Sequence, residues 1–92
     1  MGYSMTEYEM DTFQRLLEAI KTNDVKQMAI EIVNNGADVN NNNMYDIFFG
    51  TPIHYACKQK CKKKTIKFLL LAGANINAQD YYGDTPLHEA IN

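Results

Sequence analysis

No apolar run in this chain approaches the roughly 20 residues that crossing a bilayer requires; the longest, residues 68–74, is far shorter. The first eleven residues alternate polar, acidic and aromatic side chains and lack the basic start and apolar stretch of a secretory signal. A cytoplasmic setting is therefore expected, with the nucleus as the other option. There are only two cysteines, Cys57 and Cys61, too few and too closely spaced for a disulfide framework, so both are expected as free thiols. With 92 residues, several domains are excluded, and a net charge of -2 implies neither intrinsic disorder nor a global field for nucleic acid.

What is present is repetition. Gly50-Thr51-Pro52-Ile53-His54-Tyr55-Ala56 is echoed thirty-four residues later by Asp84-Thr85-Pro86-Leu87-His88-Glu89-Ala90. Asn35-Gly36-Ala37-Asp38-Val39-Asn40 is likewise echoed by Ala72-Gly73-Ala74-Asn75-Ile76-Asn77. A period of this size marks stacked units, and stacked units usually present binding surfaces.

Between these landmarks the periodicity is helical. Phe13, Leu16, Leu17 and Ile20 give residues 12–20 one buried face; Thr22-Asn23-Asp24 interrupts it, and Val25, Met28, Ile32 and Val33 resume it. The resulting helical hairpin should end at Gly36, and the equivalent later one at Gly73, because glycine enters the left-handed region freely. Thr51-Pro52 and Thr85-Pro86 each put a hydroxyl at a helix N-cap and proline at the first helical position. Helices are expected from Pro52 to about Lys60, from about Lys63 to Ala72 with Ile66, Leu69 and Leu70 inward, and from Pro86 onward. The loop from Asn40 to Thr51 has three residues more than its later copy, Asn77 to Thr85, and the surplus stretch is hydrophobic.

Residues 80–90, Asp80-Tyr81-Tyr82-Gly83-Asp84-Thr85-Pro86-Leu87-His88-Glu89-Ala90, preceded by Leu69-Leu70-Leu71-Ala72-Gly73-Ala74-Asn75-Ile76-Asn77, closely resemble the ankyrin repeat. The resemblance implies an all-α solenoid of stacked helix-turn-helix units with projecting hairpin loops. It divides the chain into an N-terminal extension (1–11), a capping repeat (12–40), a full repeat (41–77) and a partial third repeat (78–92). Two departures stand out. The second helix of the first unit is about one residue longer than the later pattern. In the full repeat, the glycine that the family places between the helices is replaced within residues 58–64, where there is also one extra residue. The third unit has no second helix, so the chain reads as part of a longer array or as one whose open end packs on another chain.

Candidates for chemistry are few. His54 and His88 are the first candidates for catalysis as histidines, the residue type suited to proton transfer at neutral pH, but they recur at the repeat period, where the resemblance assigns the imidazole to bonding hairpin and helix-start groups. His54, Cys57 and Cys61 share one helical face at a spacing a soft metal could accept, but a fourth ligand is missing. No base with a supporting carboxylate accompanies either thiol. No catalytic residue, metal or cofactor is expected.

Lys58, Lys60, Lys62, Lys63, Lys64 and Lys67 gather six of the nine basic residues, while residues 1–57 hold three basic against eight acidic. The expected function is binding of a partner protein, with no reaction, through Tyr45, Asp46, Tyr81, Tyr82 and Asp84 at the hairpins and Tyr55, Lys58, Gln59 and Glu89 along the first helices. A second reading uses the lysines of residues 58–67 to dock nucleic acid or anionic membrane, although no aromatic residue is interleaved for base stacking. A third makes the chain a targeting module of a larger regulatory or enzyme protein.

Overall fold

The computed structural model describes residues 7–42, 50–80 and 82–91, the last three through their backbone alone. Its elements are α1 (Glu7–Lys21), α2 (Val25–Ala29) running into a π-helical turn (Ile30–Asn34), α3 (Pro52–Lys58), α4 (Lys63–Leu71) and α5 (Pro86–Ile91). Successive units stack: α1 packs on α2 and α3, α3 on α4 and α5, and α2 on α4. The fold is the all-helical stack expected. Leu16, Ala19, Ile20, Met28, Val39, Ile53, Ala56 and Leu69 form one continuous core. Each fully buried Leu or Ile contributes about 2 kcal/mol of transfer free energy.

The helix limits differ from the sequence pattern in instructive ways. The first helix starts at Glu7 rather than Thr12. Its first turn is exposed and so leaves no periodic signal, but the Tyr8 hydroxyl donates to the Asn35 carbonyl (2.8 Å) and the Thr12 hydroxyl to the Tyr8 carbonyl (2.8 Å), which anchor it. The surplus residue of the second helix is held in the π turn, where the Asn35 N–H reaches back five residues to the Ile30 carbonyl (3.2 Å). That wider turn swings Val33 out to 77% exposure, against the expectation that it packs inside. Leu70, also expected inside, is 42% exposed.

α3 ends at Lys58, two residues short of the expected limit, because Lys60 adopts φ +53. A lysine thus occupies the left-handed position where the repeat pattern has glycine. The left-handed region costs an L residue about 1 kcal/mol, so Lys60→Gly should stabilise the domain by about that amount. Urea titration checks this as a raised midpoint at unchanged slope. The equivalent residue of the first turn is Asn23 (φ +59), a type that tolerates this region and here also works as a clamp. Its side-chain oxygen accepts from the Lys62 N–H (2.9 Å) and the Thr65 hydroxyl (2.7 Å), tying the first helical turn to the start of α4.

One polar network inside the stack has no counterpart in the sequence pattern. Glu31, 1% exposed, accepts from Arg15 Nε (3.2 Å), Gln27 Nε2 (2.7 Å) and Asn35 Nδ2 (3.0 Å), joining α1 to the π turn. Burial pushes its carboxyl up, but the bonds from Asn35, Gln27 and Arg15 outweigh it and hold the group below the usual value of 4.5. Among the described residues no buried side-chain polar atom lacks a partner.

Candidate binding surface

The start of α3 is fastened to the following hairpin by His54. Its imidazole is fully buried. Nδ1 accepts from the Thr51 N–H (3.1 Å) and lies 2.7 Å from the Thr51 hydroxyl, while Nε2 lies 2.7 Å from the Asp84 carbonyl. A carbonyl only accepts and a backbone N–H only donates, so these partners assign the Nε2–H tautomer. His88 repeats the first half of the arrangement, accepting from the Thr85 N–H at 2.9 Å. Gly50 packs closely here: a Cβ there would stand 3.1 Å from His54 Cβ and 3.2 Å from Asp80 Cβ, so a larger residue would have to shift these neighbours by a few tenths of an ångström.

The hairpin tip is closed by its own acid. The Asp80 carboxylate accepts from the N–H groups of Tyr82 (2.8 Å) and Asp84 (2.9 Å). The Asp80 N–H bonds the Asp84 carbonyl (2.8 Å), the Gly83 N–H bonds the Asp80 carbonyl (3.0 Å), and Gly83 takes φ +81. On this tip the Tyr82 ring is 73% exposed. The preceding hairpin is tied alongside by Asn40, whose amide donates to the Gly73 carbonyl (2.9 Å) and accepts from the Asn75 N–H (2.8 Å), and by Asn42, which donates to the Gln79 carbonyl (3.0 Å). The exposed residues here sit on a hydrogen-bonded edge.

The expected contact residues fall at two ends of α3. Tyr82 and Asp84 stand at its start; Lys58 and Gln59 stand, exposed, at its finish, about 10 Å away at 1.5 Å per residue. Tyr55, between them, is half-buried against the core, and burial first, then the charges of Glu18 and Cys61, push its hydroxyl up. It is more a packing residue than the sequence implies. Tyr45, Asp46 and Tyr81 lie outside the described residues, and of Glu89 only the backbone is described. Two of the His54, Cys57 and Cys61 trio are engaged elsewhere: both His54 nitrogens are bonded as above, and the Cys61 thiol donates to the Ile20 carbonyl (3.1 Å). Among the described residues no cluster of three or more His, Cys, Asp or Glu could hold a metal, and no helix is long and apolar enough to cross a membrane.

Sequence reasoning missed the Asn40 tie and the Glu31 network. Asn40 lies in the echoed Asn35 to Asn40 motif, so its recurrence at Asn77 was the signal; Glu31 has no repeat partner and left none.

Residues 16–92 match the family described as ankyrin repeats (3 copies). The chain is also similar to the stress-activated protein kinase alpha of Dictyostelium discoideum, with 35% identity over 66 residues. That likeness takes in 67% of this chain but 9% of the relative, so this chain spans less than a tenth of that protein's length.

Proposed function

The chain belongs to the ankyrin-repeat family, whose modules are generally protein-binding and generally non-catalytic, and from that premise we propose that it grips a partner protein through the hairpin edge at the start of α3. The observation that carries this reading is the exposed Tyr82 ring on a tip whose backbone is already closed by internal hydrogen bonds. An aromatic residue held in place before contact loses little freedom on binding, and such residues dominate the energetics of protein interfaces. Asp84 flanks it, with Tyr45, Asp46, Tyr81 and Glu89 as further candidates from the repeat pattern; Tyr55, Lys58 and Gln59 extend the surface along α3.

The test begins with affinity capture from cells of the source organism and identification of what copurifies. Titration calorimetry then compares the native protein with a variant carrying Tyr81→Ala and Tyr82→Ala, which should bind the captured partner at least about 2 kcal/mol more weakly. Unchanged affinity removes the hairpin tip from the interface. A second reading, that the module docks partners on behalf of a larger regulatory or enzyme protein, is supported by the likeness to a segment of a protein named as a kinase.

A further inference from the structure

The opposite end of α3 has a different chemistry. Ala56, Cys57, Lys60, Cys61 and Ile66 line an open groove of about 270 Å³ between the end of α3 and the side of α4. Its walls are largely uncharged: Ala56 is buried, Ile66 is half-buried against the core, and the Cys61 thiol points to the Ile20 carbonyl, with burial pushing its ionisation up. Lys60 lines this groove, and five more exposed lysines, Lys58, Lys62, Lys63, Lys64 and Lys67, lie beside its lining residues in the sequence. No Asp or Glu occurs anywhere between Asp46 and Asp80. Among the described residues no ion pair engages Lys60, Lys62, Lys63, Lys64 or Lys67. Asp24, on the neighbouring turn, is occupied in accepting from the Gln27 N–H at the start of α2 (3.0 Å).

The concentration of cations is unfavourable for the fold taken alone. Lys62, Lys63 and Lys64 surround the start of α4, where the helix dipole favours anions, and none of its first-turn residues is acidic. Carboxylates supplied from outside would relieve that repulsion. Three observations narrow the class of partner. No aromatic side chain lies within residues 57–67 to stack on a base. Residues 1–57 hold eight acidic against three basic residues, so a long polyanion or a flat anionic surface reaching beyond the turn meets like charge. The groove, lined by Ala56, Cys57, Cys61 and Ile66 with Lys60 at its wall, is suited to an apolar side chain, which nucleic acid lacks.

We infer that this turn is a second interaction surface, taking an acidic peptide segment that seats one apolar side chain between Cys57 and Ile66 and lays its carboxylates along Lys62, Lys63, Lys64 and Lys67. It stands at the far end of α3 from the hairpin tips.

Fluorescence anisotropy at low ionic strength tests it with a labelled Glu-Glu-Glu-Leu-Glu-Glu-Glu peptide, its central-alanine counterpart, single-stranded oligothymidylate and phosphatidylserine vesicles. The leucine peptide should bind best, and exchange of its leucine for alanine should weaken it by about fivefold. The triple variant K62E, K63E and K64E should weaken it by more than about tenfold. The same variant should melt no lower than the native protein, since glutamate suits a helix start, so misfolding cannot account for the loss. Tyr82→Ala should leave this binding unchanged, which separates it from the hairpin site. Tighter binding of oligothymidylate or vesicles than of the peptide, equal affinity for the two peptides, or no binding of the leucine peptide would each overturn the inference.

Discussion

His54→Ala should destabilise the domain by about 4 kcal/mol, a large share of the stability expected for a chain of this length. Two losses combine. The fully buried ring leaves a cavity, which in well-packed cores costs about 2 kcal/mol or more. The Thr51 N–H also loses its partner at Nδ1, and a stranded buried group costs about 1 kcal/mol or more, while the Asp84 carbonyl loses Nε2 and keeps only the Asp80 N–H. His54→Leu separates the terms, because it refills the volume without restoring either bond; it should cost about half as much. Urea unfolding measures both variants. A loss below about 1 kcal/mol for the alanine variant would show that the bridge from helix start to hairpin is incidental to stacking. Because Asp84 lies on the tip that carries Tyr82, the same variant should also loosen the hairpin, visible as faster amide hydrogen exchange at Gly83 and Asp84.

Glu31→Ala should cost about 3 kcal/mol near neutral pH, because it removes an almost wholly buried carboxylate accepting from Arg15, Gln27 and Asn35 at once. The effect depends on pH with a defined sign. The carboxyl is held below its ordinary 4.5 in the folded chain, so near that pH the unfolded chain binds more protons than the native one. The contribution is therefore complete above about pH 4.5 and fades as acidity carries the solution through the lower, folded value. Glu31→Gln keeps the shape but cannot titrate. Its urea midpoint should accordingly fall less between pH 7 and pH 3 than that of the native protein. Parallel declines in the two proteins would show that the network gains nothing from the charge.

Much of this architecture was legible because the repeat states it twice. Thr51-Pro52 and Thr85-Pro86 mark helix starts that the structure places at Pro52 and Pro86, and Gly36 and Gly73 take positive φ just past the ends of the helices before them. The burial of Leu16, Ile20, Met28 and Leu69 follows from helical spacing alone. What escaped had a local cause. The first turn of α1 is held by tyrosine and threonine bonds to carbonyls, which have no periodic signature. Val33 obeys the α-helical spacing, but the π turn beneath it rotates it into solvent. Lys60 gives no hint in its side-chain type of a left-handed backbone. For the candidate binding surface, the sequence offered the hairpin tip and the lysine turn but not their placement at the two ends of α3, because the His54 bond that sets the tip at the helix start joins residues thirty positions apart.

The wide turn at Ile30–Asn34 bears on how such arrays are compared. The surplus amino acid is stored as a local swelling of the coil, so Met28 before it and Val39 after it both still meet the shared core. Length in letters and spacing in space are thus separate quantities here: a unit can lengthen by one position without pushing its neighbours out of phase. A ruler with fixed tick marks will misnumber units of this kind, whereas matching inward-facing rows will register them correctly.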